Sequence, residues 1–323
     1  MLSGIQSVYF TYEANRRADE MWMAAMVAES ADEYVPALRY LEGIMTQVNV
    51  YDTGLKEARD IVGKPENSEI LKVVKEKNLE ADRQFAKLEG KQKNPTEQMI
   101  DRVAMRLAKF DGIQISADLD KTLTISDKYL NLLPHARQFE NFMDKHGREV
   151  LPFVMARYAR EALIFHKSVY EKVGSTLEFR PGVEDFFQLT KDQGIPVSVT
   201  SANFRVIVSS CLDNLPAEKR DHLIYITGLS TNDITAIDKE IVIARRVLIN
   251  PDKANILCVD GLSDQGCLQG VADGISACIF VLPGTKFVEE VKKTGQPYFE
   301  FSDFHEVNNI FKQILIRKEQ LQS

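Results

Sequence analysis

Two aspartates one residue apart, Asp118 and Asp120, follow directly on an apolar run at residues 113–117. Carboxylates at i and i+2 just past the end of a strand project towards one site. The chemistry that needs such a pair is phosphoryl transfer through a covalent aspartyl intermediate. One carboxylate attacks phosphorus; the other, protonated, donates to the leaving oxygen and later activates water. By itself the run also reads as a polar strand-to-loop turn with an Asx cap.

Three further runs extend the chemical reading. Val197-Ser198-Val199-Thr200-Ser201 is a strand pattern ending in hydroxyls, which suit donation to a phosphate oxygen. Ile256-Leu257-Cys258-Val259-Asp260 is a buried-strand pattern, and Asp264 follows four places later. Hard oxygen ligands of that kind suit Mg²⁺, which keeps several waters and takes few protein ligands. Between these runs, Asp238-Lys239-Glu240 opens a helix, from which Lys239 reaches a phosphate. A dianionic phosphate and an attacking carboxylate repel each other, and a divalent cation with a lysine removes that obstacle.

These residues need a scaffold, and the chain changes rhythm to provide one. Residues 1–110 read as helix after helix, with apolar repeats at Leu38, Leu41, Met45 and Val48, at Ile70, Val74, Ala81, Phe85 and Leu88, and at Ile100, Val103, Leu107 and Phe110. The second of these helices is expected to start at Asn67 or Ser68, after the Gly63-Lys64-Pro65 break, and the third at Asn94-Pro95, an N-cap followed by proline. After Asp111-Gly112, strand-like runs at 113–117, 196–200, 223–226, 256–259 and 275–282 alternate with helices. Such alternation predicts an α/β fold: a Rossmann-like parallel sheet covered by helices, with ligands beyond the carboxyl ends of its strands. One stretch breaks the alternation, because residues 126–178 read as helical throughout. The expected organisation is an N-terminal helical region at 1–110, an α/β core at 111–125 and 179–323, and a helical insert at 126–178.

Composition excludes other classes. A net charge of −7 argues against broad nucleic-acid binding, which needs a basic surface. No apolar run is long enough to span a bilayer. The first 25 residues form an amphipathic pattern interrupted by charges, unlike the apolar stretch of a signal peptide. A cytoplasmic protein with reduced core thiols is expected, since Cys211, Cys258, Cys267 and Cys278 show no C-x-x-C spacing.

Taken together and in this order, the four runs resemble the signature motifs of the haloacid-dehalogenase-like superfamily, in its phosphoserine-phosphatase-like branch. Asp118-Leu119-Asp120-Lys121-Thr122-Leu123-Thr124 and Asp260-Gly261-Leu262-Ser263-Asp264 are the specific ones. The insert sits where that branch carries its C1 cap, and Arg180-Pro181-Gly182-Val183 resembles the return from cap to core. The resemblance implies Asp118 as nucleophile and Mg²⁺ ligand, and Asp120 as general acid and base whose carbonyl also reaches the metal. It implies Ser201, or its neighbour Thr200, as the phosphate hydroxyl and Lys239 as the phosphate lysine, with Arg245, Arg246 and Lys253 nearby in sequence. It further implies Asp260 as a direct metal ligand and Asp264 as support for the metal site. Val259 and Lys121 stand where the family often has glycine. Asp120-Lys121-Thr122 also resembles the phosphorylated motif of ion-pumping relatives, but Leu123 follows where those have glycine.

The function implied is a Mg²⁺-dependent phosphatase acting on a small phosphorylated metabolite, because a capped site excludes large partners. Arg157, Arg160 and Glu161 in the insert are candidate substrate contacts, set against a solvated helix face with paired charges. The rival readings are a protein phosphatase recruited through the N-terminal helices and a non-enzymatic protein that keeps the fold. The amphipathic N-terminal stripes must be buried somewhere, and a homodimer through them is expected.

Overall fold

The computed structural model describes residues 64–88, 94–125, 167–201, 205–227, 239–261, 274–283 and 286–323. Helix α1 spans Pro65–Leu88, starting earlier than expected. Pro65 is the first helical residue and not a break before it, since the first turn has no use for the missing amide hydrogen. Helix α2, Pro95–Leu107, is capped as expected: Asn94 accepts from the Glu97 amide, and the Glu97 carboxylate accepts from the Asn94 amide.

Beyond α2 the chain alternates. Strand β1 is Gly112–Ala117, helix α3 is Lys167–Ser175, helix α4 is Val183–Asp192, and β2 is Val197–Ser201. Helices α5 (Arg205–Leu212) and α6 (Ala217–Arg220) lead to β3, Leu223–Thr227. Helix α7 (Lys239–Ile249) precedes β4 (Lys253–Val259), and β5 is Cys278–Val281. Helix α8 (Lys286–Lys293), β6 (Tyr298–Glu300) and α9 (Phe304–Gln322) complete the described chain. All strand pairings are parallel, in the order β3-β2-β1-β4-β5-β6. The five expected strands are present within a few residues of their expected limits. The sixth, β6, has three residues, too few for an alternating pattern to register.

Near-continuous apolar strands mark a sheet covered on both faces. Ile113, Ile115, Val197, Val199, Ile256, Leu257, Ile279 and Phe280 are all buried in one core. Val74, Ile100, Val103 and Leu107, from the helices before β1, belong to that same core. Residue 110 therefore marks a change of rhythm along the chain and not a boundary between cores. A sheet of this kind needs helices on its faces, and α1 and α2 supply part of that cover.

A buried charge cluster fixes these helices to the sheet. Arg106 on α2 is 1% exposed, and its guanidinium donates to Asp82 on α1 and to the Ala277 carbonyl just before β5. Arg102 holds the same carboxylate from the outside, and Asn78 donates to the Gly274 carbonyl. Burial pushes the Asp82 carboxyl up, but its bonds to Arg106 and Arg102 outweigh that and hold it at about 2.

Helix α3, the described end of the insert, packs on α5. Gly174 permits it: a Cβ there would lie 2.4 Å from the Ile207 carbonyl oxygen. Residues 126–166, and the apolar repeats around Met21 and Leu38, lie outside the described residues. So do residues 1–63 of the 1–110 region through which a homodimer is expected. Cys211, Cys258 and Cys278 are buried free thiols, and Cys267 lies outside the described residues. Among the described residues no helix is long and apolar enough to cross a membrane.

Candidate active site

In the order β3-β2-β1-β4-β5-β6 the sheet is built outwards in both directions from β1 and β4. The crevice at their carboxyl ends is the switch point where such sheets bind ligands. Asp118 is the first residue past β1 and Asp260 the first past β4. Ser201 is the last residue of β2, the other neighbour of β1. Three of the expected site residues are thus delivered to one crevice by three adjacent strands.

Asp118 is 4% exposed and still tied to the ladder, its amide donating to the Cys258 carbonyl at 2.9 Å. The chain then makes a tight turn over Leu119–Leu123. The Thr124 amide and hydroxyl both donate to the Leu119 carbonyl, at 3.0 and 3.1 Å. Leu119 and Leu123 are fully buried and pin the turn to the core. Lys121 at its tip has φ 59° and ψ −14°. A side chain in this left-handed region costs on the order of 1 kcal/mol, which glycine avoids. The turn geometry is therefore the physical reason that glycine suits position 121, and Lys121 must be held there by its neighbours.

The turn places Asp120 against β2. The Ser201 hydroxyl donates to Asp120 Oδ2 at 3.1 Å. Thr200 pairs with Ile226 within the sheet and, by strand alternation, projects to the opposite face from Ser201. Its hydroxyl is buried with no hydrogen-bond partner among the described residues. Of the two hydroxyls, Ser201 is the one that faces the aspartate pair. Asp260 Oδ1 accepts a longer bond from the Thr122 hydroxyl at 3.4 Å, which links the two carboxylate-bearing strand ends. Burial pushes the Cys211 thiol up to about 12, and the Asp120 charge adds to this, so the sulfur near the site stays protonated.

One residue of the site escaped the sequence reading as more than a connector. Arg180, half-buried, donates through Nε to the Thr122 carbonyl at 3.1 Å and through Nη2 to the Lys121 carbonyl. Its Nη1 reaches the Ser302 carbonyl at 3.0 Å. Burial lowers its guanidinium from the ordinary arginine value, while Asp260 and Asp303 act to raise it. Only its place in Arg180-Pro181-Gly182, where the chain returns from the insert, singled it out in the sequence.

The other expected residues are placed in part or not at all. Lys239 is the first residue of α7, as expected, but its side chain is not described. Asp264, Arg157, Arg160 and Glu161 lie outside the described residues. Among the described residues no group of three or more His, Cys, Asp or Glu side chains stands close enough to hold a metal ion. The described carboxylates at the crevice, Asp118, Asp120 and Asp260, are all hard oxygen donors, and donors of this type fit Mg²⁺.

No protein-family model matches the chain, and no curated protein does. Solved structures resemble it at low identity. A cytosolic 5'-nucleotidase IIIB bound to cytidine is 14% identical, with a TM-score of 0.45, over 71% of this chain and 93% of that one. A phosphoserine phosphatase in a phospho-aspartyl intermediate analogue is 14% identical, with a TM-score of 0.45, over 61% and 98%. A probable phosphoserine phosphatase from Vibrio cholerae is 12% identical, with a TM-score of 0.45, over 65% and 67%. At these identities the residues of the site, not the overall likeness, carry the functional reading.

Proposed function

We propose that this chain is a phosphomonoester hydrolase working through an aspartyl phosphate on Asp118. The observation that supports this best is the Asp118 and Asp120 pair at the carboxyl end of central strand β1, with Ser201 donating to Asp120. An Asp118 carboxylate oxygen attacks phosphorus, and the bond from phosphorus to the substrate oxygen breaks. Asp120 gives that oxygen its proton, so the product leaves as a neutral alcohol. Asp120 then takes a proton from water, whose oxygen attacks the phosphorus of the acyl phosphate. Inorganic phosphate leaves, and the Asp118 carboxylate is restored.

Residues that would hold Mg²⁺ are Asp118, the Asp120 carbonyl, Asp260 and Asp264. When bound, the cation offsets the negative charge that otherwise keeps carboxylate and phosphate apart. Thr122, bonded to Asp260, orients that carboxylate. Ser201, and Lys239 at the start of α7, would bind the phosphate oxygens. The substrate class is a small phosphorylated metabolite, and the site of action the cytoplasm.

The test is a panel of phosphometabolites assayed with Mg²⁺ and with excess chelator. Release of phosphate from at least one compound, lost in Asp118→Asn and Asp120→Asn and lost in chelator, is the expected result. Wild-type turnover retained in Asp118→Asn would overturn the nucleophile assignment, and full activity in chelator would overturn the metal requirement. Turnover retained in Asp118→Asn but lost in Asp120→Asn would move the nucleophile to Asp120.

A further inference from the structure

We propose that Arg180 is a positioning residue that sets the shape of the Asp118 to Thr124 loop and thereby the aim of Asp120; this rests on the phosphatase reading above. Three consecutive carbonyls of the loop end on this one residue. The guanidinium takes those of Lys121 and Thr122, and the Arg180 amide donates to that of Leu123 at 2.8 Å. Successive carbonyls in a strand point to alternate sides, so two neighbours converge on one planar group only where the backbone departs from regular structure. That departure is the left-handed Lys121, the only non-glycine residue with positive φ among the described residues. A lysine held in this region needs surroundings that impose it. Arg180 supplies them through its bonds to the Lys121, Thr122 and Leu123 carbonyls.

Arg180 is itself anchored to rigid structure. The Thr124–Phe179 bridge and the Ile125 amide, donating to the Glu178 carbonyl at 2.9 Å, lay the outgoing and returning chains side by side. On the other side, the Phe304 amide donates to the Pro181 carbonyl and Asn308 to the Gly182 carbonyl. Gly182 has φ 83°, and a Cβ there would lie 2.5 Å from the His305 amide nitrogen, so the start of α9 closes directly onto the return strand. The arginine therefore joins α9, the return from the insert and the carboxylate loop. A lysine could not do the same, because it lacks the planar fork that reaches two neighbouring carbonyls.

Arg180→Met and Arg180→Lys are each to be compared with the wild type for kcat, KM and amide hydrogen exchange. The expected result is a kcat lower by about 100-fold, from an acid displaced by an ångström or less, with KM changed less than about threefold. Exchange of the Thr124 amide, which closes the turn, should quicken in both variants relative to core amides of β1. Lys121→Gly added to Arg180→Met should recover at least about tenfold in kcat, because glycine takes the left-handed turn without a clamp. A KM that rises while kcat holds would overturn the proposal, since Arg180 would then contact substrate. So would failure of Lys121→Gly to rescue, or unchanged Thr124 exchange. If Arg180→Met does not fold, Arg180→Lys carries the same measurements. Should the wild type hydrolyse no phosphomonoester, the phosphatase reading fails, and the exchange experiment still decides whether Arg180 shapes the loop.

Discussion

Replacing Asp82 by alanine would strand Arg106, a guanidinium only 1% exposed, without its carboxylate. In the wild type, Asp82 accepts two bonds from Arg106 and two from Arg102. After the substitution Arg106 keeps only the Ala277 carbonyl at 3.1 Å and a stretched contact with Ser276 at 3.5 Å. Breaking a buried ion pair from one side costs about 3–5 kcal/mol, while the outer Arg102 bond, partly in solvent, adds at most about 1 kcal/mol. The carboxyl itself offers a second measure. Its fall from 3.8 to about 2 corresponds to about 2.4 kcal/mol at about 1.36 kcal/mol per pH unit, trimmed to about 2 by its partial exposure. A carboxyl depressed in the folded state stabilises above its unfolded value and loses that stabilisation as pH falls through the folded value. Urea unfolding at pH 7 should therefore show Asp82→Ala less stable by about 3–5 kcal/mol. The gap should narrow by about 2 kcal/mol as pH falls from about 5 towards 2. Asp82→Ala with Arg106→Met should recover much of the loss, since no buried charge is left unpaired. A cost below about 1 kcal/mol, or a gap that ignores pH, would refute the claim that this cluster ties the helices before β1 to the sheet.

A chain beginning at Asp111 loses Val74, Ile100, Val103 and Leu107 from the core, about 6–12 kcal/mol of burial, and should show no cooperative thermal transition. Gly182→Ala forces a side chain into a positive φ against the His305 amide and should cost about 2–4 kcal/mol in urea unfolding. Thr200→Val removes a buried hydroxyl without a partner among the described residues, and should leave stability equal or raise it by up to about 1 kcal/mol. Ser201→Ala removes the donor to Asp120 and should lower kcat on the order of 100-fold on a verified substrate, whereas unchanged kcat would exclude Ser201 from the site.

The sequence by itself determined what depends on neighbours along the chain. Strand rhythm was legible because fully buried strands read as apolar runs, and Asp118, Asp120 and Asp260 stood out because they end those runs. The Asn94-Pro95 cap was legible for the same reason, since its bonds reach only to Glu97. Only the tertiary structure decided matters that join distant segments. Ser201 and Thr200 are equivalent as a sequence pair, and the register of β2 beside β1 turns one of them towards Asp120 and the other away. Lys121 looked like a departure from glycine, and its left-handed backbone is set by carbonyl contacts with an arginine 59 positions later. Residue 110 looked like a domain limit because the pattern changes there, yet an apolar stripe does not say which surface covers it. The sheet assembled from later residues is what buries Val103 and Leu107, and with them Arg106, whose partner Asp82 lies 24 positions earlier on another helix.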